Sequence, residues 1–299
     1  MPGSADGPDL ALEVVVVSYR SRELLRSCLT SLLDHAPAAG PMGVHVVDND
    51  SQDGTVEMVQ REFPAVHVEG LDENAGFSVA NNRVLRRTTA PYVLLLNPDT
   101  EMRAGVLDHL LASMAERLDV GMVGCRLEQR DGTFDHAAKR SFPTPGAALA
   151  HFAGVGRRAG AGARTAQYRA PHVGEREVGE VDAVNGAFML VRREALDDVG
   201  LLDEGYWLYM EDLDWCFRFH QHGWRVLYDG RVTILHAKGG TAGRYRALRQ
   251  NVAFHRGMAR FYRKFQAGRN PPRDVLVYAG IATKLVFSVL RSAVARRIG

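Results

Sequence analysis

Five short segments bring together residue types able to do chemistry. In the first, the continuously apolar run Tyr92-Val93-Leu94-Leu95-Leu96 stops at Asn97-Pro98-Asp99-Thr100. Such a run reads as a strand buried on both faces, and Pro98, unable to donate to a ladder, ends it. Asp99 then stands at the strand's carboxyl end, where open α/β sheets bind their ligands. A carboxylate there suits a hard divalent cation, which commonly brings a phosphorylated substrate. A plain Pro-Asp turn has the same local sequence.

The second segment, Asp48-Asn49-Asp50-Ser51-Gln52-Asp53-Gly54-Thr55, offers side-chain acceptors, a turn glycine and a helix start. It can hold a nucleobase or ribose through directional hydrogen bonds, although any strand-to-helix turn with an N-cap looks alike. The third, Asn74-Ala75-Gly76-Phe77 with Asn81 beyond it, has a glycine that permits close backbone approach and a helix N-terminus that favours an anion. The fourth runs from Tyr209 to Arg218. Leu213, Cys216 and Phe217 have helical spacing there, which puts Glu211 and Asp212 in the first turn. The macrodipole alone favours acids at that position by about 0.3–1 kcal/mol, and a general base fixed by a helix would stand in the same place. Tyr206, Trp207 and Tyr209 beside them either stack on a sugar ring or fill the core. In the fifth, His236 closes a strand at Val232–Leu235, as a metal ligand or as a structural histidine. The pair Gly239-Gly240 after it would hinge a closing loop.

The elements that must position these residues alternate. Strands are predicted at Glu13–Val17, Val44–Val47, Val66–Val68, Tyr92–Leu96 and Val120–Val123. Helices are predicted at Ser21–Leu33, with Ser21 as N-cap, and at Thr55–Phe63, Phe77–Arg87 and Leu107–Arg117. This spacing gives an α/β fold with a mostly parallel sheet and helices on both faces. Residues 154–180, where glycines alternate with arginines, read as a mobile loop or a weakly ordered excursion. Order is expected again from Val181 to about His236.

The chain has no GxGxxG loop and no GxxxxGK[ST] loop, which argues against a nicotinamide enzyme and a P-loop kinase. Cys28, Cys125 and Cys216 form no CxxC pair, so a reduced, cytoplasmic compartment is expected. Met1–Asp6 lacks the basic and apolar regions of a signal peptide, and no uncharged apolar run reaches the ~18 residues of a spanning helix. Residues 244–299 hold 13 Lys and Arg against Asp274 alone, a net +12, which leaves residues 1–243 at −10. A basic tail on an acidic body suggests an anionic partner surface. Val275–Leu290 is apolar, with Arg273, Lys284 and Arg291 along one helical stripe, as in a helix lying in a membrane interface. A helix packed on its own domain or on a second subunit, a homodimer, has the same pattern.

In this order the segments resemble a family 2 glycosyltransferase with the GT-A fold. The residues that carry the resemblance are Val15-Val16-Val17-Ser18-Tyr19, Val47–Thr55, Asn74–Phe77, Leu95–Asp99, Asn185-Gly186-Ala187, Tyr209–Asp214 and His236, which span about residues 12–245. Within that family the chain is most similar to bacterial rhamnosyltransferase-like enzymes of cell-wall and polysaccharide assembly, which also carry Asp-Asn after the second strand and Asn-Pro-Asp in place of a DxD motif.

The resemblance implies a disordered N-terminus over residues 1–11 and a GT-A domain over 12–245, with a nucleotide-binding half (12–100) and an acceptor half (101–245). A basic helical segment follows over 246–299. It also implies a dTDP- or UDP-sugar donor, a glycan or lipid-linked acceptor, an inverting reaction, and Mg²⁺ or Mn²⁺. Ser18, Tyr19, Asp48 and Asn49 would hold base and ribose, and Asn74, Gly76 and Asn81 would line the nucleotide pocket. Asp99, next to Asn97, would bind the metal against the diphosphate, and His236 would approach either. Asp212 would deprotonate the acceptor, with Glu211 beside it. Asn97, a neutral amide where many relatives carry a first aspartate, weakens the metal site.

Two other readings compete. A sugar-phosphate nucleotidyltransferase needs a glycine-rich basic loop after the first strand, where Ser18-Tyr19-Arg20-Ser21 stands instead. A non-catalytic or nucleotide-sugar-binding module would use the basic tail, with Phe254, Phe261, Tyr262 and Phe265 interleaved, on an anionic partner. A membrane surface explains that tail at least as well as nucleic acid, so no nucleic-acid partner is expected.

Overall fold

A computed structural model describes residues 10–143, 169–237 and 247–298. The strands are β1 Leu12–Ser18, β2 Met42–Asp48, β3 His67–Gly70, β4 Tyr92–Leu96, β5 Thr100–Glu101, β6 Val120–Glu128, β7 Lys139–Arg140, β8 Val178–Glu180, β9 Ala183–Val184, β10 Phe188–Arg192 and β11 Arg225–His236. The helices are α1 Arg22–Asp34, α2 Thr55–Glu62, α3 Phe77–Leu85, α4 Val106–Ala115, α5 Arg193–Val199, α6 Glu211–Gln221, α7 Leu248–Phe265 and α8 Pro271–Ile298.

The central sheet runs β3-β2-β1-β4-β10-β6-β11-β5, with β8 added to β11. Its first half is parallel, as the strand-helix alternation predicts: β1 pairs in register with β2 on one side and β4 on the other. β1 is buried along its whole length, and Leu25, Cys28, Leu29 and Leu32 of α1 close over the sheet. The second half is mixed. β10 runs antiparallel between β4 and β6, so the loop entering it returns to the carboxyl end of β4. There the Asn97 N–H donates to the Ala187 carbonyl at 3.0 Å. The short β5 pairs antiparallel with β11 and sets His236 opposite Thr100.

Two local expectations change. Ser21 precedes α1 but does not cap it with its side chain; its hydroxyl instead lies 3.0 Å from that of Ser18. Part of the stretch expected as a mobile loop is an edge strand, because β8 pairs with β11 and the Tyr228 hydroxyl donates to the Glu175 carbonyl at 2.5 Å. An edge strand held by backbone bonds leaves little side-chain periodicity to read. Residues 154–168 of that stretch, Lys238, Gly239 and Gly240 lie outside the described residues.

The basic C-terminal segment packs on the α/β body through α7. Phe261 joins the main core, and Gly257 lies against Tyr209 and Met210. Tyr262, Val277 and Ile281 form a small cluster between α7 and α8. Pro271–Ser292 of α8, 22 residues, is long and apolar enough by length and composition to cross a membrane, and its most apolar window is only 17% buried.

Candidate active site

A cavity of about 1060 Å³ opens at the carboxyl ends of β1, β2 and β4, the edge where α/β sheets place their ligands. Tyr19, Asn49, Asn74, Gly76, Asn97, Asp99, Glu211, Asp212 and His236 all line it. Three other residues expected at the site stand behind it. Ser18 is fully buried against Ser21. Asp48 accepts both the hydroxyl and the N–H of Ser51, at 2.5 and 2.9 Å, and burial outweighs these bonds to raise its carboxyl above the usual range. Asn81 turns its amide onto the Phe77 carbonyl of its own helix at 2.9 Å. These side chains shape the loops instead of lining the cavity.

The loop around Gly76 is held from two sides. Asn49 donates to the Gly76 carbonyl at 3.1 Å and accepts the Ala75 N–H at 2.9 Å. Gly76 has φ +92°, and a Cβ there would overlap the Trp207 carbonyl oxygen. Its close approach is therefore to protein backbone. The Phe77 N–H, first of α3, donates to that same carbonyl at 2.8 Å.

On the opposite wall, Tyr209 and Met210 hold left-handed backbone, φ 69° and 75°, immediately before α6. Two successive non-glycine residues in that region are strained and persist only where packing enforces them. Phe254 of α7 packs edge-on against Tyr209 at 5.9 Å. Asp214, fully buried one turn into α6, receives the Tyr206 hydroxyl, Arg218 and Lys264 of α7 at 2.7–3.1 Å. The turn thus delivers Glu211 and Asp212 to the cavity from a locked helix.

The two carboxyl groups differ. Asp212 accepts from Arg140 at 2.6 Å and from the Gly186 N–H at 3.2 Å. Glu211 has a buried Oε2 without a hydrogen-bond partner. Burial, then the charge of Asp212, pushes its acid up to about 8.

At the strand ends, His236 Nδ1 lies 3.0 Å from Asp135 and Nε2 lies 3.5 Å from Asp99. Burial opposes its charge, but the two carboxylates outweigh burial and push the imidazole up to about 9. The Ala237 N–H donates to the Asp99 carbonyl at 2.7 Å, so β11 ties His236 to Asp99. Among the described residues no cluster of three or more His, Cys, Asp or Glu can enclose a metal. The Asp99 carboxylate fits a cation that takes its remaining ligands from substrate phosphate and water, as Mg²⁺ commonly does, and His236 would ligate it only on losing its proton.

Several cavity residues gave no local signal in the sequence. Arg140, in the two-residue strand β7, lines the cavity 72 residues from its partner Asp212, and Asp135, behind His236, is 101 residues from that partner. Gln250, Asn251 and Phe254 of α7, and Ser288, Arg291 and Ser292 of α8, also line the cavity. The basic tail is thus a wall of the site.

Residues 8–252 match the family described as "Glycosyltransferase like family 2". The chain is 30% identical over 246 residues to an N-acetylglucosaminyl-diphospho-decaprenol L-rhamnosyltransferase of Mycobacterium tuberculosis, covering 78% of each chain. Its fold is similar to the mannosyltransferase PcManGT of Pyrobaculum calidifontis solved with GDP-Man and Mn²⁺, with TM-score 0.57, 18% identity, and 97% of this chain and 78% of that one covered. It is also similar to GalNAc-T7 solved with UDP, GalNAc and Mn²⁺, with TM-score 0.60, 14% identity and 86% of this chain covered, though it spans only 48% of that protein. With its GT-A sheet, its cavity and this match over most of its length, the chain belongs to glycosyltransferase family 2 and is a glycosyltransferase.

Proposed function

We propose that the protein inverts the anomeric centre as it transfers a sugar, rhamnose being the first candidate, from a dTDP- or UDP-sugar to a hydroxyl of a lipid-linked glycan. The observation that carries this reading is Asp212, held by Arg140 and the Gly186 N–H in the cavity that Asp99 and His236 also line. The acceptor class follows the diphospho-decaprenol in the name of the mycobacterial relative. The apolar outer face of α8 agrees with work at the inner surface of the plasma membrane.

Tyr19, Asn49 and Asn74 line the nucleotide end, while Asp48 and Ser18 hold the loops behind it. The diphosphate lies toward Asp99 and His236, which would hold Mg²⁺ or Mn²⁺. When bound, that cation neutralises charge on the leaving diphosphate. Asp212 accepts the acceptor's hydroxyl proton as its oxygen forms a bond to the anomeric carbon and the carbon–oxygen bond to the diphosphate breaks. Arg140 holds the Asp212 side chain in position. Glu211, protonated beside it, adds no second charge and offers a hydrogen bond to substrate. No second nucleophile is assigned, so the displacement is single and inverting.

Asp212→Asn tests this assignment. Transfer should fall by roughly 10²–10⁴-fold, the span of a general base, with donor affinity retained. Near-normal transfer by that variant would remove Asp212 from the role.

A further inference from the structure

The α8 helix has three distinct sides. At 100° per residue, the exposed Val275, Leu276, Val286, Phe287 and Leu290 share one side. Val277, Ile281, Ser288 and Ser292 share the opposite side, against α7. Arg273, Lys284 and Arg291 follow the seam between them, and of these three only Arg291 lines the cavity.

Its position is fixed by a polar clamp. Asn251 of α7, 1% exposed, donates to the Ser292 hydroxyl at 3.1 Å and accepts from that of Ser288 at 2.8 Å. Buried polar pairs of this kind set the register of one helix on another more than they add stability. The clamp holds the turn that carries Arg291 at the cavity wall.

We infer that Arg291 is a specificity residue for the acceptor: its guanidinium binds the phosphate of a diphosphate-bearing lipid substrate that enters the cavity along α8 from the bilayer. This rests on the reading of the protein as a transferase acting on a lipid-linked acceptor. A helix lying in the interface puts its apolar side among acyl chains and its seam at head-group depth, where the phosphate of an anchored lipid also lies. A planar guanidinium suits phosphate by paired hydrogen bonds. Arg291 joins those two places, with Leu290 facing outward beside it and Ser292 clamped inward.

The test uses the full chain, a donor chosen from a panel of dTDP- and UDP-sugars, and two acceptors. One is farnesyl-diphospho-N-acetylglucosamine; the other is octyl N-acetylglucosaminide, with the same sugar and an alkyl chain but no phosphate. Arg291→Ala should raise KM for the phosphorylated acceptor at least tenfold, leaving kcat, donor KM and the octyl glycoside kinetics unchanged. Arg291→Lys should recover part of the loss. An equal change with both acceptors, a rise in donor KM, or no change at all would each overturn the inference while the transferase reading stands. Absence of transfer by the wild type to either acceptor would overturn that reading, and this inference with it.

Discussion

Asp212 and Glu211 are adjacent in the chain but stand in different electrostatic surroundings. Asp212 accepts hydrogen bonds from Arg140 and a backbone N–H, while Glu211 is buried next to Asp212 and Asp214. The proton on Glu211 makes stability depend on pH with a definite sign. Its acid is raised from 4.5 to about 8 on folding, so between those values the folded chain holds a proton that the unfolded chain has lost. That advantage is present at the acidic end and disappears as pH rises through about 8. The unfolding temperature of the wild type should therefore fall as pH rises from about 5 to about 8, and Glu211→Gln should flatten that fall. An identical pH profile in the variant would remove Glu211 as its source. At this scale the sequence was informative where a residue ends a recognisable element: Asp99 after an apolar strand, Asp212 at a helix start. Ser18, Asp48 and Asn81 stand behind the cavity, where their polarity serves the loop itself. The sequence was silent on Arg140 and Asp135, whose meaning depends on partners far along the chain.

The elements position these groups through backbone contacts more than through side-chain periodicity. β1, β2 and β4 were legible because strands buried on both faces are continuously apolar. The reversal of β10 was not, since an apolar run has no direction. Yet that reversal brings Gly186 to Asp212 and Ala187 to Asn97. The Gly76 turn is the second such device: its left-handed backbone presses on Trp207, two residues before the strained Tyr209. Gly76→Ala should destabilise the protein by about 1–3 kcal/mol from backbone strain alone, or several degrees in Tm, and weaken donor binding. A variant with unchanged Tm and donor affinity would mean that the two walls are not coupled through this contact.

For the whole molecule, the basic tail divides between contacts inside the fold and an outward apolar side of α8. Arg249 stacks 3.9 Å over Trp207, and Arg260 and Lys264 pair with Asp203 and Asp214, so part of its charge is spent inside the fold. The composition revealed the charge asymmetry but not this division, because charge alone does not say which side of a helix is covered. What remains outward is the apolar side of α8, with Phe287 68% and Val275 67% exposed. Fully burying one such side chain contributes about 1.5–3 kcal/mol, and each basic residue near an anionic surface about 1 kcal/mol. The full chain should co-sediment with phosphatidylglycerol vesicles at low salt and dissociate as salt screens the charges. Phe287→Glu should bind these vesicles at least tenfold more weakly, with turnover of a water-soluble acceptor unchanged. If that substitution instead converts a dimer to a monomer and leaves vesicle binding intact, the face joins two copies of the chain.

The central claim, metal-assisted transfer with inversion, is tested most directly by one NMR measurement on the purified full chain. It is incubated with its dTDP- or UDP-sugar donor and acceptor, with Mg²⁺ or Mn²⁺ and then with EDTA, and the anomeric configuration of the product is read from the spectrum. The account predicts a glycoside of configuration opposite to that of the donor, formed with stoichiometric release of nucleoside diphosphate and lost with EDTA. A product that retains the donor's configuration, or full turnover in EDTA, would contradict it.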